Sequence, residues 1–342
     1  MDIKAKLIKQ SSLETLVHLL HLAGKEVVAP VKKNDKADFG RISSLDQMAT
    51  DYIVTGQSAK FAVFPKIETL FEIDTTRDQV SLKDKDLAAL PEVVLLGTRP
   101  CDAAGFITLW GIFGGDQEDT IFHARLNKLT IISISCRESD SKCFCTSVKL
   151  DPGGTKGSDI LLTRIDEDTY LAEIVTQKGE AIADKFSDLF EAAPDIDKDE
   201  FVAKVPVEFD VDELTNKIYS LFESDIWLEQ SLRCIGCGTC AYVCPTCGCF
   251  DIQDVYDGET GIRNRNWDSC GFSLFTLHAS GHNPRETQTQ RWRQRVLHKF
   301  AYMLKNQNLL GCVGCGRCSR LCPSDMNLQE HLIDLYNEIH NG

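Results

Sequence analysis

Two copies of one cysteine pattern lie in the last third of the chain. They read Cys234-x2-Cys237-x2-Cys240-x3-Cys244-Pro245 and Cys312-x2-Cys315-x2-Cys318-x3-Cys322-Pro323. A [4Fe–4S] cube has four irons, each wanting one thiolate from the protein. Three cysteines spaced two residues apart let one loop reach three corners, and the fourth ligand comes from elsewhere. The glycines inside the runs, Gly236, Gly238, Gly314 and Gly316, leave room for close backbone approach and allow positive φ. Each proline turns the chain away from continued helix.

In two-cluster bacterial ferredoxins the fourth cysteine of each run serves the other cluster. That rule assigns Cys234, Cys237, Cys240 and Cys322 to one cube, and Cys312, Cys315, Cys318 and Cys244 to a second. A structural zinc site uses four ligands, usually as two separated pairs, and does not call for two full runs. A disulfide framework belongs to exported chains. Here the first 25 residues read as an amphipathic helix interrupted by Glu14 and His18, without a small-residue cleavage site, so a signal peptide is not expected. No apolar run is long enough to cross a bilayer. The expectation is a cytoplasmic protein without a membrane partner.

The formal net charge of −14 argues against nucleic-acid binding. One segment runs against that charge: Arg285, Arg291, Arg293, Arg295, His298 and Lys299 crowd together. It reads as a solvated helix face, as compensation for cluster charge, or as a dock for an acidic partner.

The 342 residues suffice for about two domains. Residues 1–210 alternate strand-like and helix-like stretches, which argues for an α/β domain. Val93–Gly97 and Leu129–Ser135 read as buried strands, each followed by a cysteine, Cys101 and Cys136. Ile160–Thr163 and Tyr170–Val175 read as a hairpin around Asp166-Glu167-Asp168. The acidic stretch 183–213 marks the boundary zone. Residues 211–342 turn helical, with Leu214, Ile218, Leu221 and Phe222 at helical spacing and an apolar stripe over 326–339. The two runs start 78 residues apart (312 − 234), too far for a compact βαββαβ ferredoxin. By fold-level analogy, a long, mostly helical insertion between them suggests an α-helical ferredoxin-like domain.

Seven of the fifteen cysteines lie outside the runs. Cys101, Cys136, Cys143 and Cys145 number what a third cube needs. In an open α/β sheet, ligands bind beyond the carboxyl ends of the strands, where Cys101 and Cys136 fall. Cys247, Cys249 and Cys270 stay open between a three-thiolate cluster, a substrate-accessible iron and buried thiols. His278 and His282 are further candidate ligands, each more often a hydrogen-bonded core histidine. No GxGxxG follows a strand, and no Walker A, HExxH or Ser/His/Asp grouping stands out, so no dinucleotide site is expected on this chain.

The strings CIGCGTCAYVCPTCGCFDI, WDSCGF, SGHNPRE, RWRQRVLHK and CVGCGRCSRLCP, with FPKIETLF, GTRPCDAAG and CRESDSKCFC upstream, resemble one family over nearly the whole chain. It comprises the iron–sulfur A subunit of anaerobic sulfite reductase, the beta subunit of cytoplasmic sulfhydrogenases and the B subunit of flavin oxidoreductases serving heterodisulfide reductase. The resemblance implies a non-autonomous subunit with two or three [4Fe–4S] clusters. It would relay single electrons between an FAD/NAD(P)H-binding flavoprotein subunit and a terminal catalytic subunit of hydrogenase, heterodisulfide reductase or sulfite reductase type. The alternative is a catalytic subunit reducing a disulfide or sulfur species at Cys247, Cys249 and Cys270.

Overall fold

The computed structural model describes residues 3–75 and 79–341, the last without its side chain. The N-terminal part contains β1 (Lys4–Lys9), α1 (Gln10–Leu22), β2 (Glu26–Lys33), β3 (Lys36–Arg41), β4 (Ile67–Thr75), β5 (Val80–Asp84), β6 (Val93–Thr98), α2 (Pro100–Phe113), α3 (Thr120–Asn127) and β7 (Leu129–Ile134). It continues with β8 (Ile160–Arg164), β9 (Thr169–Ile174), α4 (Gln177–Lys185) and β10 (Phe190–Ala192). The C-terminal part contains α5 (Val211–Lys217), α6 (Ile226–Ser231), α7 (Thr239–Tyr242), β11 (Phe250–Tyr256), β12 (Thr260–Trp267), α8 (Gln288–Leu297), α9 (Met303–Gln307), α10 (Arg317–Arg320) and α11 (Leu328–Asn341).

Eight strands form one mixed sheet in the order β10-β1-β9-β8-β7-β6-β2-β3. Its centre, β2, β6, β7 and β8, is parallel. The apolar runs of these strands are buried on both faces. Val94 and Leu96 face α1 and α4, whereas Leu95 between them packs against α2 and α3. The expected strands at Val93 and Leu129 are therefore present and adjacent, and β8 and β9 form the expected antiparallel pair.

The sequence reading of the first residues needs correction. Lys4–Lys9 is a strand, not the start of a helix, and pairs on both sides with β9 and β10. The apolar residues of this stretch fit either period. Pairing satisfies its backbone and buries Ile8, so tertiary context overrides local preference.

The insertion between the cysteine runs also differs from expectation. Its first half is the β11/β12 hairpin, closed by Asp257-Gly258, with Gly258 at φ +107° and Asp257 accepting from the backbone N–H of Glu259 and Thr260. An Asp-Gly pair between such runs is a hairpin signal that the helical reading passed over. The hairpin joins β4 and β5 in a four-stranded sheet, which ties residues on the two sides of position 210. Glu68 on β4, fully buried, pairs with Arg265 on β12 at 2.6 Å. The second half of the insertion is helical: α8 runs through a π-helical turn, His298–Tyr302, into α9.

The helical part has its own core, built from Leu214, Ile218, Trp227, Trp292, Val296, Phe300, Leu332 and Leu335. Phe144 and Val148 from the N-terminal part are buried in it as well.

Candidate metal centres

The first cysteine run wraps a cavity lined by Cys234, Cys237, Cys240, Cys318 and Cys322, together with Gly236, Gly238, Trp292, Arg295, Met326 and Leu328. Cys322 from the second run thus lines the same space as three cysteines of the first. Helix α11 and the turn before it close the apolar side through Met326 and Leu328. Cys237 is exposed, unlike the other cysteines here. The Gln288 amide donates to Cys234 Sγ at 3.0 Å, and Cys237 Sγ lies 3.4 Å from Thr239 Oγ1.

The second run lies deeper. Burial pushes the Cys312 thiol up to about 12 and the Cys315 thiol up to about 11, and Cys244 and Cys318 stand close enough to add to both. Cys244 therefore neighbours the second run although it ends the first. Lys299 Nζ lies 3.4 Å from Cys244 Sγ and donates to the Gly311 carbonyl at 2.7 Å. The Gly314 backbone N–H points at Cys312 Sγ at 3.4 Å.

The four cysteines of the N-terminal part, Cys101, Cys136, Cys143 and Cys145, line one cavity, together with Pro100, Pro152 and Cys315. Cys101 opens α2 just beyond β6, and Cys136 follows β7. Because β6 and β7 are parallel neighbours, both arrive at the same edge of the sheet. The loop 140–148 folds back to bring Cys143 and Cys145 to them. Phe144 anchors that loop in the helical core, and its N–H donates to the Gly314 carbonyl at 3.0 Å. Cys315 lines this cavity and neighbours Cys244 and Cys318, so this site abuts the second run.

Gly314 and Gly316 explain the closeness of that junction. Both have positive φ, +62° and +68°. A Cβ on Gly314 would stand 2.5 Å from the Phe144 carbonyl oxygen, and one on Gly316 would stand 2.2 Å from that of Lys142. Here glycine serves contact between two cysteine loops, beyond the access to a cube that the spacing suggested.

Buried cations surround these thiols. Arg295 Nη1 lies 3.4 Å from Cys247 Sγ, and its Nη2 donates to the Cys240 carbonyl at 2.8 Å. Arg320 donates to Cys143 Sγ at 3.0 Å and to both Asp140 carboxylate oxygens, from Nε at 2.7 Å and from Nη2 at 2.5 Å. Arg317, fully buried, pairs with Asp102 and lies near Cys315 and Cys101. Lys60 donates to the Ala241 and Cys247 carbonyls at 3.0 Å each and stands 4.0 Å from the Trp267 ring centroid. Burial lowers its ammonium to about 8, against the pull of Cys247, Cys244 and Cys249. Of the basic segment, Arg291, Arg295 and Lys299 are buried, spaced four residues apart on one helix face. The solvated-face reading is overturned for those three. Arg293 is partly buried, stacked 3.8 Å over the Phe222 ring and donating to the Phe222 carbonyl at 2.7 Å. Sequence spacing revealed the stripe, but nothing in it distinguished Lys60, Arg317 and Arg320 from ordinary basic residues.

The residues present fit iron–sulfur cubes. Arg317 Nη1 is buried without a hydrogen-bond partner, at the junction where Cys315 meets Cys101. Burial pushes most of these thiols up, while a hydrogen-bonded neighbouring thiol pulls Cys244 and Cys249 down. Coordination to a cation displaces the thiol proton, and thiolates held that way supply the anionic charge these cations require. Among the described residues no group of three or more Cys, His, Asp or Glu closes around a single-ion site. A cube holds its thiolates farther apart than one ion does.

Cys247 is buried beside Cys244, while Cys249 and Cys270 are half-buried with their thiols in hydrogen-bonding reach. His278 and His282 are exposed, stacked edge-on in a tight turn. They are not core histidines, and no cysteine contact is seen for either among the described residues.

Residues 233–326 match the family model of the 4Fe-4S dicluster domain. The chain is 30% identical over 329 residues to the sulfhydrogenase 2 subunit beta of Pyrococcus furiosus, covering 92% of each chain. No solved structure matches it.

Proposed function

The chain belongs to the iron–sulfur subunit family that includes the sulfhydrogenase beta subunits, and from that premise we propose a three-cluster electron relay. It is an iron–sulfur electron-transfer subunit of a multi-subunit oxidoreductase. Our finer reading assigns Cys234, Cys237, Cys240 and Cys322 to a first [4Fe–4S] cube, and Cys312, Cys315, Cys318 and Cys244 to a second. Cys101, Cys136, Cys143 and Cys145 hold a third. Residues 211–342, apart from the β11/β12 hairpin that pairs with β4, then form a helical ferredoxin-like module on an α/β domain of residues 1–210.

The observation that carries this reading is the shared cavity of Cys101, Cys136, Cys143 and Cys145, with Cys315 of the second run in its wall. A site that uses four scattered cysteines and abuts a second cysteine set is built for passage from one centre to the next. When bound, the cubes supply one-electron chemistry. The chain's own residues hold their thiolates, offset their charge and exclude water. Arg295, Lys299, Arg317 and Arg320 donate toward the sulfurs or lie close by, which favours the reduced, more negative state of a cluster.

At one end, the exposure of Cys237 supports a first cube near the surface. At the other, the third cube lies at the edge of the α/β sheet. We assign these ends to an FAD/NAD(P)H-binding flavoprotein subunit and a terminal catalytic subunit, in a cytoplasmic complex. No helix among the described residues is long and apolar enough to cross a membrane.

Anaerobic purification of the chain with its neighbours tests the partners: a copurifying flavoprotein is expected, and its absence from an intact complex sinks that assignment. Iron analysis tests the relay. About twelve irons per chain support three cubes, and loss of about four on Cys101→Ser with Cys136→Ser locates the third.

A further inference from the structure

Cys247, Cys249 and Cys270 are what the three sets of four leave over from fifteen cysteines. They are gathered in one place. Cys249 immediately precedes β11 and Cys270 lies three residues past β12. The hairpin pairs Phe250 with Trp267, and the Asp268 N–H donates to the Cys249 carbonyl at 3.0 Å. The thiols of Cys249 and Cys270 meet across the base of that hairpin, and Cys247 neighbours both Cys249 and Cys244.

The charge around them is unbalanced. Lys60, Arg295 and Lys299 are each no more than 4% exposed. Among the described residues none of the three pairs with a carboxylate. Lys299 faces Cys244 of the second set, and Arg295 lines the cavity of the first. Lys60 reaches neither cavity; its nearest sulfur neighbours are Cys247, Cys244 and Cys249. A buried cation without an anion is costly, and a thiol offsets it only once its proton is gone. A disulfide between Cys249 and Cys270 would offset it no better. Metal-bound thiolates would.

We propose that Cys247, Cys249 and Cys270 ligate a fourth iron–sulfur group, one that lacks a fourth cysteine from this chain. Three thiolates suit a three-iron cluster, or a cube with one iron bound to a non-cysteine ligand. The group lies next to the first two sets, since Cys240 feels Cys270 and Cys247 meets Cys244. It adds to the relay proposed above and is tested separately from it.

The test is iron counting and EPR on the anaerobically prepared full-length chain, loaded with iron and sulfide. Wild type should hold about fifteen or sixteen irons. Cys247→Ser, Cys249→Ser and Cys270→Ser together should remove three or four (about one cluster's worth) and abolish one EPR component, leaving the others. Lys60→Met, which keeps every cysteine, should lower the occupancy of that component alone. Unchanged iron and spectra in the triple variant overturn the inference and leave the three-cube relay intact. Should the triple variant not fold, wild type suffices: about twelve irons, falling to about eight on Cys101→Ser with Cys136→Ser, leaves no fourth group. Conversely, if that pair of changes costs no iron while the triple variant loses a cluster, the third cube fails and the fourth group stands.

Discussion

Arg317 Nη2 donates to Asp102 Oδ2 at 2.5 Å, and both side chains are sealed from solvent. Asp102 sits in the first turn of α2 beside Cys101, and Arg317 opens α10 between Cys315 and Cys318. The ion pair therefore joins the sheet-edge cysteine site to the second cysteine run. Arg317 also donates to the Thr55 carbonyl at 2.8 Å, which adds a third segment to the joint.

Breaking this pair should be costly. Asp102→Asn leaves a buried guanidinium with cluster thiolates as its only anions, and we expect a loss of about 3 kcal/mol. Replacing both partners, Asp102→Asn with Arg317→Met, should cost less than the two single changes summed. Denaturant unfolding of the four proteins, run anaerobically, measures the coupling. Additive losses would refute it.

The cavity of the first run contains Cys322, and the second run is neighboured by Cys244. Cys322→Ser should thus damage the first-run cube, and Cys244→Ser the second-run cube. Each change should remove or convert about one cube's worth of iron, and EPR redox titration should show a different cluster affected in each case. If each substitution affects only the cube of its own run, the crossed assignment is wrong.

Gly314 and Gly236 occupy equivalent places in the two runs and share positive φ. Their surroundings differ. A Cβ at 314 meets the backbone of Phe144 and Cys145 within 2.6 Å, whereas one at 236 first meets the flexible Gln288 side chain at 3.3 Å. Both alanine variants carry the φ penalty, about 1 kcal/mol. Gly314→Ala should lose more, and should lower occupancy of the Cys143/Cys145 site selectively. Equal melting temperatures for the two variants would contradict this.

His331 on α11 is buried edge-on against Trp292, ring centroids 5.1 Å apart. Burial, with Arg233 nearby, holds its imidazole down at about 4. An unfolded histidine titrates near 6.5. Between these values the unfolded chain binds the extra proton, so stability falls as pH drops from about 6.5 toward about 4, by at most about 3 kcal/mol. Above that window the group contributes no slope. The difference in unfolding free energy between wild type and His331→Gln, measured at pH 7.5 and 5, should shrink at the lower pH. A difference independent of pH would show that the histidine titrates normally.

Much of the fold was legible because its signals are local. The β-branched runs at Val93 and Leu129, the β8/β9 hairpin and the apolar stripe of α11 each carry their period within a few residues. Lys4–Lys9 was misread because a six-residue strand between two partners has no period of its own to distinguish it from a helix. The hairpin after Cys249 was missed for a different reason: its β11 residues are exposed, so its pattern shows no buried face. The basic segment had the right spacing for a helix face, but which side of that helix meets solvent depends on what packs there.

The cysteine spacing by itself determined the chemical class, since two such runs suit iron–sulfur cubes and little else. It also located Cys101 and Cys136 at strand ends, from which a common edge followed if the strands were neighbours. Only the tertiary structure decided that they are, and that Cys143 and Cys145 close the same cavity with Cys315 in its wall. It alone brought Lys60, Arg295, Lys299 and Arg317 out of water and against thiols. Ligand spacing is a short-range property of one loop. The company those loops keep depends on contacts between residues as far apart as 102 and 317, which no local pattern encodes.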